Sequence, residues 1–133
     1  MSTFTLNVTL NTTKTPPALD VDQSGNGNQI PQNPSTQTIA WRLTGNAATG
    51  SFHAQGGTQP GFAWIGKAPA NGIFGPPTPS NNGNQLSITD LNNGPGSVGA
   101  FTYQLWATIN GTAYSTIASL LTGTATNPAI INK

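Results

Sequence analysis

Acid–base, nucleophilic and metal chemistry in proteins draws mainly on His, Cys, Asp, Glu and Lys. In this 133-residue chain that set is one His, no Cys, three Asp, no Glu and three Lys, with a single Arg beside them. His53 is the only imidazole, so any nucleophile–base–orienter chain must pass through it. It lies in Ser51-Phe52-His53-Ala54, a Gly-rich stretch where a surface or turn residue is the ordinary reading. Ser and Thr hydroxyls are plentiful, but a hydroxyl without a positioned base is structural. Paired carboxylates for glycoside hydrolysis would have to come from Asp20, Asp22 and Asp90. Asp20 and Asp22 are two apart, so on a strand they share one face. That suits shared ligands better than a separate acid and base. No enzyme and no catalytic residue are expected.

The same two carboxylates open the one ligand-like motif. Asp20-Val21-Asp22-Gln23-Ser24-Gly25-Asn26-Gly27-Asn28 places oxygen ligands at positions 1, 3, 5 and 9 of a loop, with Gly at 6, and so resembles the first nine positions of an EF-hand loop. The departures are Pro31 at position 12, where a bidentate Glu belongs, and flanks patterned as strands rather than helices. Two readings stand side by side. Asp20, Asp22, Ser24, Asn26 and Asn28 are candidate calcium ligands, or the loop is a turn whose Asp and Asn side chains bond their own backbone.

The elements that would carry these residues are strands. Thr, Gly and Asn dominate the composition, and no window shows a 3.6-residue apolar stripe. Phe4, Leu6, Val8 and Leu10 alternate with polar residues, and so do Ile39, Trp41 and Leu43. Short strands are expected at Ala18–Asp22, Gly61–Ile65, Gly72–Phe74, Gln85–Leu91 and Ala129–Ile131. In the Gln85–Leu91 segment Asp90 has the parity of Leu86 and Ile88. Trp41 belongs to the core. Phe62 and Trp64, beside Phe74, read as core with part of the cluster open to line a groove. The strongest local signal is Asn110-Gly111 between two long β patterns, a two-residue hairpin turn. It sets Ile109 opposite Thr112, Ala107 opposite Tyr114 and Leu105 opposite Thr116. Phe101, Tyr103, Leu105 and Ile109 then face the core, while Trp106 and Gln104 face outward, across from Ser115 and Ile117. The expected fold is one domain spanning residues 1–133, an all-β, immunoglobulin-like antiparallel β-sandwich of seven to eight strands, with a jelly roll as the alternative.

Three short motifs carry a family resemblance. Asn127-Pro128-Ala129-Ile130-Ile131-Asn132-Lys133, with Ile73-Phe74-Gly75-Pro76-Pro77-Thr78 and Ser87-Ile88-Thr89-Asp90, resembles the small bacterial proteins of the DP-EP family. In that family the terminal box more often begins Asp-Pro, where this chain has Asn-Pro. The resemblance covers the C-terminal half. It implies a compact β domain and brings no activity with it.

Four dispersed basic residues, Lys14, Arg42, Lys67 and Lys133, make no phosphate-tracking stripe, so nucleic acid is not an expected partner. No run approaches the roughly 20 apolar residues of a membrane span. The N-terminus has no basic and apolar leader pattern, so no signal peptide is expected. Synthesis is cytoplasmic, with the surface or the exterior left open as a destination.

From Leu91 to Asn132 there is no Asp, Glu, Lys or Arg. Charges are a usual means of keeping strand edges from pairing with other molecules. The leading expectation is therefore a non-enzymatic module that self-associates or serves as a surface or structural building block. Trp106, Gln104, Ile117, Ile130 and Ile131 are its candidate contact residues. The alternative is a carbohydrate-binding, lectin-like module that takes glycans, with calcium at the Asp20–Asn28 loop. Replacing Gly111 by Val tests the hairpin. A β-branched residue forced to positive φ should destabilise the fold by about 1–2 kcal/mol in chemical denaturation.

Overall fold

The structure is a computed structural model that describes residues 2–13, 15–116 and 128–133. The all-β sandwich expected from the sequence is what forms, and the chain crosses between its two sheets repeatedly. β1 (Thr3–Asn11) and β2 (Ala18–Val21) belong to the first sheet, and β3 (Gln29–Ile30) to the second. β4 (Gln37–Leu43) returns to the first sheet; β5 (Ser51–Phe52) and β6 (Phe62–Trp64) lie in the second. β7 (Thr78–Ser80) and β8 (Gln85–Asp90) complete the first. The second is completed by β9 (Gly99–Ile109), β10 (Thr112–Ser115) and β11 (Ala129–Asn132). Only short 3-10 turns interrupt the strands, and among the described residues no helix is long and apolar enough to cross a membrane.

The first sheet runs β2-β1-β4-β8-β7. The second is organised on β9, which has β5 and β6 along one side and β10 and β11 along the other, with β3 beyond β11. The sheets are mixed rather than purely antiparallel, because β1 pairs β4 and β11 pairs β3 in parallel. Each parallel pair closes over a crossover through the opposite sheet, which strand patterning alone does not reveal. Eleven strands occur among the described residues where seven or eight were expected. Two-residue strands such as β3 and β5 are too short to display a period. The segment Gly72–Phe74 is not a strand; its ladder contact is one bridge between Phe74 and Asp90.

The hairpin follows the register read from Asn110-Gly111. Ile109 opposes Thr112, Ala107 opposes Tyr114 and Ser115 opposes Trp106. Asn110 and Gly111 take φ of 52° and 83°, the double left-handed geometry that matches strand twist.

Between the sheets the inward faces meet in one core. From the first sheet come Leu6, Val8, Leu19, Ile39, Trp41, Leu43, Leu86 and Ile88; from the second, Phe62, Tyr103, Leu105, Ile109 and Ile130. Phe101, assigned to this face from its parity, is only half-buried at the open end of β9. The centre is aromatic: Trp41 lies 5.0 Å from Tyr103 and 5.2 Å from Phe62, ring centre to ring centre. Trp41 Nε1–H donates to the Tyr103 hydroxyl at 2.8 Å, which satisfies the one polar group of a fully buried indole. Burial pushes the phenol far above its ordinary pKa, so it stays neutral. Tyr103→Phe should therefore cost about 1–3 kcal/mol, since it orphans that N–H while removing almost no volume. Denaturant unfolding would read the loss. A loss like that of a surface mutation would show the bond is dispensable.

Candidate functional site

The outer face of the second sheet is the less charged of the two outer faces among the described residues. Along β9 the buried residues Tyr103, Leu105, Ala107 and Ile109 alternate with half-buried Thr102, Gln104, Trp106 and Thr108. β6 sets Ala63 beside Gln104, and β5 sets Ser51 beside Thr108. β10 adds Ala113 beside Thr108 and Ser115 beside Trp106. Trp106 and Gln104 thus lie where the sequence put them, on a face that carries no Asp, Glu, Lys or Arg.

His53 borders this face. Its Nδ1 lies 2.9 Å from the Gln59 carbonyl, to which it can only donate. Nε2 is then the acceptor, and the Thr108 hydroxyl donates to it at 2.7 Å. The ring stacks on Trp106 at 6.1 Å and 22°. A hydroxyl, an imidazole and a carbonyl in series have the connectivity of a nucleophile, a base and an orienter. A neutral carbonyl fixes the tautomer, yet it supports an imidazolium far less than a carboxylate would. The arrangement also clamps the 53–61 loop to β9. At the loop's end Gly61 leaves no room for a Cβ against the His53 carbonyl, and its own carbonyl accepts from Trp106 N–H at 3.2 Å.

Strand edges decide which part of this surface is open to pairing. From Thr102 to Thr108 β9 has none, because its neighbours bond it on both sides. The free side of β6 is closed by a side chain: Gln55 Nε2 donates to the Phe62 carbonyl and Gln55 Oε1 accepts from Phe62 N–H, each at 2.9 Å. One amide there imitates a neighbouring strand. β7 contains Pro79 and follows Pro76-Pro77. β2 follows Pro16-Pro17 and carries Asp20, with Asp22 just beyond. β3 is two residues long and ends at Pro31. β10, Thr112-Ala113-Tyr114-Ser115, has neither charge nor Pro, and no described strand pairs with its outer side. Thr116 N–H donates to the Leu105 carbonyl, so the ladder bonds fall at 112, 114 and 116. By alternation the Ala113 N–H and C=O point away from the sheet, and Ala113 is exposed.

The other expected contact residues divide. Ile130 is fully buried in the core, so it is not available to a partner, whereas Ile131 is half-buried on the opposite parity. The sequence missed this because Ala-Ile-Ile has no alternation from which to read a face. Ile117 lies outside the described residues.

The Asp20–Asn28 loop does not take the EF-hand form. It joins two strands through a 3-10 turn, and its side chains are engaged locally. Asp22 Oδ1 accepts from Ser24 N–H at 2.9 Å and from the Ser24 hydroxyl at 2.5 Å, an Asx turn that lowers the carboxyl pKa. Asp20 Oδ2 accepts from Asn11, and Asn26 Oδ1 accepts from Gln29. The Asn28 amide donates to the Ala129 carbonyl at 2.8 Å, binding the loop to β11. These hydrogen bonds are those of a self-bonded turn. Asp20 and Asp22 do share a face, as their spacing requires. With Asn7, Thr9, Val21 and Thr44 they line a shallow groove of about 540 Å³.

The half-buried aromatics form a chain of ring contacts at the mouth of the core. Trp64 touches Phe62 and Phe74 at 4.8 Å each, and Phe74 touches Phe101 at 5.2 Å. Beside them is a groove of about 290 Å³ whose rim includes Lys67 and Val98.

No protein-family model matches the chain, and no curated protein matches its sequence. The DP-EP resemblance rests on its quoted motifs alone.

Gln55→Ala should lower stability by about 1 kcal/mol and speed hydrogen exchange at the Phe62 amide, leaving amides of β9 slow. Unchanged exchange at Phe62 would mean the side chain does not close that edge.

Proposed function

We propose that this protein is a non-enzymatic β-sandwich building block that associates with copies of itself through the outer edge of β10 and the uncharged face beside it. The observation that carries the reading is the contrast among edges. Every other edge strand is very short, prolyl, acidic or closed by Gln55, while β10 presents Ala113 N–H and C=O and has neither charge nor Pro of its own. Two antiparallel copies of β10 would pair through the Ala113 N–H and C=O around a two-fold axis, the commonest closed symmetry. Trp106 and Gln104, next to that edge, would be covered by the same contact. Trp is favoured in interface centres because it removes much apolar area from water while its N–H keeps a partner.

The carbohydrate-binding alternative is weaker. Its ligand oxygens at Asp20–Asn28 are engaged within their own turn and with β11. A hydrolytic role for His53 is weaker still, since its hydrogen bonds account for it as a clamp.

Ala113→Lys provides the test. Position 113 is exposed, so a lysine costs the isolated domain little, but an interface would have to desolvate it. Size-exclusion chromatography with light scattering should give a wild-type mass above that of one 13.6 kDa chain and a monomeric, equally heat-stable variant. A wild-type protein that stays monomeric at high concentration contradicts the proposal. So does a variant that assembles as well as wild type.

A further inference from the structure

At one end of the sandwich three buried oxygens lack a hydrogen-bond donor among the described residues: Gln37 Oε1 on β4, Asp90 Oδ2 on β8 and Asn132 Oδ1 on β11. The amide orientations are fixed by what their nitrogens do. Gln37 Nε2 donates to the Pro31 carbonyl at 2.9 Å; Asn132 Nδ2 donates to Asp90 Oδ1 and to the Ser97 carbonyl, each at 3.0 Å. Flipping either amide would set oxygen against oxygen, so Gln37 Oε1 and Asn132 Oδ1 can only accept. Gln37 and Asp90 are directly opposed in the β4–β8 ladder and both point inward, while Asn132 reaches Asp90 from the other sheet. The neighbours have no donor to spare. Asn92 Nδ2 donates to the Ile30 and Lys133 carbonyls, and the Ser97 hydroxyl is shared between Asn92 Oδ1 and the Gly94 carbonyl.

An ionised Asp90 would therefore leave a carboxylate oxygen without a donor, out of reach of water. Gln37, Asp90 and Asn132 are 1%, 0% and 2% exposed. A metal cation answers this poorly. The carbonyls of Pro31, Ile30, Ser97 and Lys133 that would complete its coordination already accept amide N–H groups, and hard cations want six or more oxygens. One proton on Oδ2 answers it directly, by turning an orphaned acceptor into a donor for the oxygen of a neighbouring amide.

We propose that this cluster is a buried proton-binding site in which Asp90 is a carboxylic acid whose Oδ2–H donates to Gln37 Oε1, pinning the end of β8 to β4 beneath β11. Burial pushes the same carboxyl up to about 6, against the opposing pull of the Asn132 amide. Among the described residues no charged side chain compensates it. β4 presents Gln37, its Arg42 lying exposed at the strand's far end, and β11 presents Asn132, with Lys133 exposed beyond. The 91–98 segment presents Asn92 and Ser97, and Phe74 makes only the backbone bridge. Because the folded state holds this proton more tightly than the unfolded chain, its stabilisation is complete below the ordinary carboxyl pKa. It is lost as pH rises through about 6.

The chain has three Asp and no Glu, so its side-chain carboxyl ¹³C spectrum is simple enough to titrate residue by residue. Asp90 should remain protonated well after Asp20 and Asp22 have ionised. In a His53→Gln background, which removes the only imidazole, the melting temperature should fall by several degrees between about pH 5 and pH 8. Asp90→Asn supplies an N–H to the same acceptor. It should flatten that dependence and melt above the parent at about pH 8. An Asp90 signal already ionised at pH 5 overturns the proposal, even if the Asn variant fails to fold. A pH-independent melting temperature overturns it too. So does stabilisation by sodium or calcium that Asp90→Asn abolishes, because the site would then hold a metal ion.

Discussion

Backbone hydrogen bonding around β9 is the constraint on which the rest of this molecule depends. A strand of eleven residues with no charge in it would be an adhesive surface if either side were open. The fold places it in the interior of a sheet. β5 and β6 occupy one side; β10 and β11 occupy the other. That single placement explains why the chain crosses between layers so often. Three short strands from elsewhere in the sequence, β5, β6 and β11, must converge on β9 beside its hairpin partner β10, and the parallel pairings of β1 with β4 and β11 with β3 accompany those crossings.

With few charges available, polar side chains take over work that ions usually do. Gln55 completes an edge, His53 fastens a loop to Thr108, Asn28 ties a turn to β11, and Asn92 satisfies two carbonyls at the sandwich end. Amides suit this role because one group both donates and accepts, and because they are far cheaper to bury than carboxylates. The buried Asp90 is the exception. As an acid it would be one more neutral donor in a network otherwise built from Gln, Asn and Ser, and it links both sheets.

How far the sequence revealed this depended on pattern length. β1, β4, β8 and the Asn110-Gly111 hairpin were legible, because six or more alternating residues fix both the element and its buried face. Trp41 and Leu105 were placed in the core on that basis. Strands of two or three residues gave no period, and parallel pairing leaves no local mark, so sheet order was not readable. Ile130 was misjudged because three adjacent apolar residues do not say which one points inward. The Asp90 cluster did leave a trace. Asp90 shares the parity of Leu86 and Ile88, and Gln37 that of Ile39 and Trp41, so two polar residues stood on core-facing positions. The third member, Asn132, comes from a strand whose register could not be anticipated. Gln55, from a loop without pattern, had no signal at all.

The proposed assembly requires β10 to be the open edge and β9 the closed strand. Amide hydrogen exchange at Ala113, measured as a function of protein concentration, tests this most directly. Exchange at Ala113 should be fast in dilute protein and become strongly protected as copies associate, while β9 amides such as that of Trp106 stay slow throughout. Protection of Ala113 already complete in the dilute monomer, or exchange that concentration never slows, would contradict it.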